Sequence, residues 1–139
     1  MKVLIDANVA LDVLWNRERF QSSLDVWQLC ESGVINGYIS ALSVANMVYI
    51  MRKELNPEKI QILTKRVFSA FSVAALRARD LKLAAEMGFT DFEDALQSVC
   101  AARVGADYIV TRNTRDFAGS VIPAIEPSAL LKQISAQIE

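Results

Sequence analysis

The stretch "VLIDANVALDVL", Val3–Leu14, opens on three apolar residues, two of them β-branched, and meets its first acid at Asp6. A short unbroken apolar run is the pattern of a strand covered on both faces, as in a parallel sheet, so Lys2–Ile5 is predicted to be such a strand. Asp6 then falls where that strand ends in a loop, and a helix is expected from about Asn8.

The rest of the chain continues in kind. Phe20 to Ser32 carries Leu24, Val26, Trp27 and Leu29 at helical spacing, and Gly33 sits where a helix end favours left-handed backbone. A second strand is expected near Ile35 to Ser40. Ser43 can cap a helix with Val44, Met47, Val48, Met51 and Leu55 on one arc, until Asn56-Pro57 breaks it. Further helices are expected from Pro57 to Ser69, through "RARDLKLAAEMG" as far as Gly88, and through "TDFEDALQSVCAARVGA"; a third strand falls at Phe71 to Ala74. "DYIVT" repeats the logic of the first strand, delivering Thr111, Asn113 and Asp116 at its carboxyl end. "SVIPAI" reads as a peripheral strand because Pro123 cannot donate to a central ladder. Pro127 opens a last amphipathic helix with Leu130, Leu131, Ile134 and Ile138. This alternation predicts an α/β fold built on a parallel sheet.

Composition narrows the chemistry. At 139 residues and 53% hydrophobic, residues 1–139 are expected to form one domain. The twenty uncharged residues from Ser32 to Met51 include Gly33, Asn36, Gly37, Ser40, Ser43 and Asn46, too many polar and small residues for a lipid-facing helix, so no membrane role is expected. Cys30 and Cys100 lack metal-knuckle spacing and read as packed core thiols, and with no secretion signal a cytoplasmic address follows. A net charge of −1 gives no global field for coating nucleic acid. There is no histidine, which excludes a Ser-His-Asp triad, His-based RNA cleavage and His-bearing zinc sites. Carboxylates, hydroxyls and amines are left, and carboxylates without histidine suggest a hard metal ion.

In open parallel sheets functional groups gather beyond the carboxyl ends of the strands, which places Asp6 and the Thr111–Asp116 segment together. The crowded stretch "TDFEDALQ", Thr90–Gln97, divides. Thr90 and Glu93 fit a capping box, and Asp91 suits the positive end of the helix dipole. Asp94 is unexplained by either. On a helical wheel Phe92, Leu96 and Val99 mark a core arc, with Asp94, Ser98 and Ala101 opposite. That face is compatible with plain solvent exposure or with close approach of another strand end.

Four motifs in order, "VLIDANVALDVL", "YISALSVANMVYIMRK", "DFEDALQSVCAA" and "ADYIVTRNTRDF", make the chain resemble the PIN-domain nucleases, a family that includes VapC-like toxins of toxin–antitoxin pairs. The resemblance spans nearly the whole chain. It implies a three-layer α/β/α sandwich with a central parallel sheet of four to five strands, and an acidic cluster holding Mg²⁺ or Mn²⁺ to cleave RNA phosphodiesters. The family acids fall on Asp6, Asp94 and Asp116, and Asn8, Ser43 and Thr111 fall on small polar positions that support the site. Two positions depart: Asn46 stands where many members carry glutamate, and Asn113 where aspartate often follows "TR". An amide can ligate a hard cation but brings no charge, so both changes should weaken metal attraction.

Asn46 and Asn113 would orient water or substrate, and Arg112 and Arg115, with Arg17 and Arg19 farther out, are candidates to meet RNA. Trp27 reads as core; Trp15 is open between core, dimer face and base-stacking platform. The implied partners are RNA, an antitoxin that inserts a basic side chain into the acidic pocket, and a second copy of the chain in a homodimer. Two alternatives stand beside the nuclease: a PIN-like binding module that no longer cleaves, and a phospho-accepting α/β domain. The second is weaker, because Asp6-Ala7-Asn8 lacks a second aspartate and no lysine follows the late strand.

Overall fold

The structure, a computed structural model, describes residues 1–17 and 21–138. Arg19 and Phe20 lie outside the described residues, as does the Ile138 side chain. Five strands, β1 (Lys2–Ile5), β2 (Asn36–Ser40), β3 (Ser72–Ala74), β4 (Tyr108–Val110) and β5 (Ala124–Ile125), form one parallel sheet in the order β3-β2-β1-β4-β5. Among the described residues seven helices accompany it: α1 (Ala7–Leu14), α2 (Gln21–Glu31), α3 (Ala41–Met51), α4 (Pro57–Ala70), α5 (Ala78–Glu86), α6 (Phe92–Val104) and α7 (Pro127–Ile138).

The opening run is the centre of the sheet. Val3 pairs in register with Gly37 of β2 on one side and Tyr108 of β4 on the other. Its side chains alternate between two cores, as the pleat requires. Val3 and Ile5 pack with α1, α2, α3, α4 and α7, through residues such as Leu11, Trp27, Met47, Val67 and Leu130. Leu4 faces the other way, onto Cys100 and Ala101 of α6, with Ile109 and Phe117. α5 then covers α6, Ala84 meeting Ala95 and Leu96. Three layers result, with continuous apolar strands buried on both sides.

From β1 the chain winds outward through β2 to β3, then returns to place β4 on the opposite side of β1. The reversal opens a crevice beyond the carboxyl ends of β1 and β4, the place where open α/β sheets bind ligands. The Asp6 N–H donates to the Val110 carbonyl (3.0 Å), extending the ladder one residue past β1.

Two helix starts differ from the sequence expectation. Ser40, not Ser43, caps α3: its Oγ accepts from the Ser43 N–H at 3.0 Å. β2 turns into α3 without a loop, which leaves Ser43 inside the first turn and buried. Likewise Asp91, not Thr90, caps α6, its Oδ1 accepting from the Asp94 N–H at 3.1 Å. The wheel of α6 is also reassigned. Phe92 is exposed, while Ala95, Leu96, Gln97, Ser98, Cys100 and Ala101 are buried, because the small residues let the helix lie close on the sheet. Gly105, in the left-handed region at φ 72°, ends α6 without the steric cost a Cβ would add there.

The uncharged run Ser32–Met51 becomes β2 and α3, and among the described residues no helix is long and apolar enough to cross a membrane. Both cysteines are free and buried. Trp27 is core, edge-on to Phe71 with ring centroids 4.7 Å apart. Trp15 packs partly against the same core, with the Arg17 guanidinium 4.9 Å above its ring.

Candidate active site

Asp6 and Thr111 end the two central strands, so the parallel register delivers them side by side. The Thr111 hydroxyl donates to Asp6 Oδ2 at 2.9 Å and accepts from the Asn113 backbone N–H at 3.1 Å. With its lone pair occupied by that N–H, the hydroxyl proton is directed to the carboxylate. Asp6 is largely buried, and burial raises its pKa; the bonds from Thr111 and the Ala7 N–H and the positive charge of Arg112 oppose the rise, while Asp116 adds to it.

Asp116 sits in a single 3-10 turn, Thr114–Phe117, anchored by buried Phe117. Asp94 rises from the first turn of α6. An open cavity of about 460 Å³ is lined by Asp91, Asp94, Arg115 and Asp116, with Met87, Phe89 and Gly119 among its walls. Asp94 is pushed up to about 6 by burial and by the negative charges of Asp91, Asp116, Asp6 and Glu93. Like charges disfavour one another's ionised form only at close range, so Asp6, Asp94 and Asp116 share one field, as their sequence positions suggested. A perturbed carboxyl in a cleft, flanked by other acids, marks a candidate functional site. Its ligating groups are oxygens only, which suits a hard cation. Among the described residues, no three Asp, Glu, Cys or His side chains stand close enough to form a closed metal cage.

The other expected residues fall in different places. Ser43, buried, accepts from Gln97 Nε2 at 2.6 Å, so it ties α3 to α6. Asn46 donates from Nδ2 to Glu93 Oε2 at 3.3 Å. Asn8 is exposed on the first turn of α1, and the Asn113 side chain is exposed beside the crevice. Arg115 lines the cavity, but Arg112 turns away to Asp12, its Nε 3.2 Å from Asp12 Oδ2 without the alignment of a hydrogen bond.

Asp12 is a residue that reading motifs passed over. It is fully buried, with Arg17 Nη1 on Oδ1 at 3.1 Å and the Ser23 hydroxyl 3.4 Å from Oδ2. Its signal was present in the sequence: an acid among Val9, Leu11, Val13 and Leu14 on a short helix cannot stay unpaired, and a buried charge needs cations nearby. Asp91, set aside as a helix-dipole residue, both caps α6 and lines the cavity.

The geometry thus defines an α/β protein with an acidic crevice at the switch point of its sheet. A family model for the PIN domain matches residues 2–115, so the chain belongs to the PIN-domain family; the match stops one residue short of Asp116. No curated protein sequence matches it significantly. Among solved structures it is similar to VapBC2 from Rickettsia felis bound to a DNA fragment from their promoter, with TM-score 0.71 and 17% identity over 91% of this chain and 98% of that one. FitAcB from Neisseria gonorrhoeae gives TM-score 0.65 and 17% identity over 91% and 98% of the two chains. PAE2754 from Pyrobaculum aerophilum gives 0.64 and 20% over 99% and 97%.

Proposed function

We propose that this chain is an endoribonuclease dependent on Mg²⁺ or Mn²⁺, and that it acts as the toxin of a toxin–antitoxin pair. The observation carrying this reading is the shared field of Asp6, Asp94 and Asp116, drawn from three distant segments to one crevice. So much negative charge in one place is relieved by a cation, and Asp6, Asp94 and Asp116 would hold it. When bound, such an ion lowers the pKa of a water and offsets charge building on the scissile phosphate.

The protein's own part is positional. Thr111 holds the Asp6 carboxylate in one orientation, and Phe117 pins the turn that presents Asp116. The open acid rim leaves coordination positions to water, as Mg²⁺ prefers. Arg115 at the cavity edge can meet a flanking phosphate. Support for an antitoxin partner comes from the fold neighbours solved as VapBC2 and FitAcB assemblies. A basic side chain of that antitoxin would neutralise the crevice and block it. RNA, the antitoxin and a second copy of the chain are the proposed partners, in a cytoplasmic setting.

The test is RNA cleavage by purified protein with Mg²⁺ or Mn²⁺, compared with Asp94→Asn. Wild type is expected to cut, and the variant to lose at least 100-fold, the scale on which positioned acid–base groups act. Equal cutting by both proteins would assign the activity to a contaminant. One observation favours a second reading: amides at 46 and 113 and the lack of a closed cage suit an RNA- or protein-binding module. That reading gains if wild type binds RNA without cutting it.

A further inference from the structure

Position 46 is where the family resemblance places a carboxylate and this chain has an amide. In the folded chain that amide is not alone. Asn46 Nδ2 donates to Glu93 Oε2 at 3.3 Å, although 47 residues separate them. One helical turn along, Gln97 Nε2 donates to the Ser43 hydroxyl at 2.6 Å. The two contacts are rungs between α3 and α6, Ser43 with Gln97 and Asn46 with Glu93, so the helices run in opposite senses where they meet.

Glu93 is not consumed by starting its helix, since Asp91 caps α6 in its place. Its carboxylate is exposed, engages the amide through one oxygen, and carries a charge felt at Asp94. A neutral amide donor orients a carboxylate without cancelling its charge.

We propose that Glu93 supplies from α6 the acidic group that α3 lacks, with Asn46 as the positioning residue that aims it at the Asp94 side of the crevice. The negative charge is relocated across the interhelical contact and is not lost from the site. A cation held at Asp6, Asp94 and Asp116 then gains a fourth carboxylate, directly or through a bound water. This rests on the metal-dependent reading given above.

The experiment measures Mn²⁺ binding to the full chain, stripped with EDTA, by calorimetry and by the loss of the free-ion EPR signal. Four proteins are compared: wild type, Glu93→Gln, Asp94→Asn and the double variant Asn46→Glu/Glu93→Gln. Gln at 93 keeps an acceptor oxygen for Asn46, so a merely structural contact survives the change. Glu93→Gln is expected to bind Mn²⁺ about 10-fold more weakly, the lower end of what neighbours of a metal site contribute. The double variant, which moves the charge back to α3 with the hydrogen bond reversed, is expected to recover it. Wild-type affinity in Glu93→Gln, with binding abolished in Asp94→Asn, overturns the role of Glu93 and leaves the site reading standing. A weakened Glu93→Gln that the double variant does not rescue overturns the relocation. If wild type binds no Mn²⁺, both readings fall.

Discussion

Replacing Asp94 by Asn should stabilise the metal-free protein while destroying its activity. Burial and four neighbouring acids move the Asp94 carboxyl from its ordinary 3.8 up to about 6. At about 1.4 kcal/mol per pH unit that displacement corresponds to about 3 kcal/mol against the charged form. The side chain reaches solvent, and screening reduces the part felt as stability to about 1 kcal/mol. The sign follows from linkage. With a raised folded value, the native state holds a proton that the unfolded chain releases between about pH 4 and 6, so the wild type loses stability as pH rises through that window. Asn has no charge to lose. In EDTA at pH 7.5 the variant should therefore melt about 3 °C above wild type, and the gap should close near pH 4. Adding 1 mM Mn²⁺ should reverse the order, raising the wild type alone. Circular dichroism melts across pH 4–8 measure this directly. A variant no more stable than wild type at pH 7.5, or a gap of equal size at pH 4, refutes the reasoning.

Asp12→Asn should lower stability by about 2 kcal/mol, read from the urea midpoint; removing one partner of a buried pair costs about 3–5 kcal/mol, reduced here because the Arg17 and Arg112 side chains are 37% and 34% exposed and can rehydrate. Gly37→Ala should cost about 1–3 kcal/mol by overpacking, since a Cβ there would stand 2.6 Å from Cys30 Sγ and 2.7 Å from Phe71 Cδ1. Cys30→Ala in the same chain should return part of that loss, whereas a loss unchanged by Cys30→Ala would place the cause elsewhere.

The order of strands and helices was legible in the sequence because each rests on local chemistry. Apolar runs at Val3–Ile5 and Tyr108–Val110, Pro57 at a helix start and Gly105 at a helix end act within a few residues, and the structure keeps them all. Pro123 kept its strand at the sheet edge for the same reason. The position of Asp6 past a buried strand, and the absence of histidine, were likewise enough to direct attention to oxygen ligands at the carboxyl edge.

The boundaries and the faces were another matter. Ser40 and Asp91 displaced Ser43 and Thr90 as caps because the cap depends on which residue keeps extended backbone, and that is set by how strand and helix join. The wheel of α6 could not say which of its small residues would lie against the sheet, since a hydrophobic arc and a close-packed arc differ in what opposes them. Asp12 showed a charge needing partners, but Arg112, a hundred positions away, was among those that came. Glu93 is the sharpest case. Read along the chain it is a capping residue; across the chain it meets Asn46 and joins the acids of the crevice. Local periodicity and turn chemistry determine which elements form and in what order. Only the packed fold decides which charges become neighbours, because Coulomb and hydrogen-bond energies depend on distances in space that sequence separation does not encode.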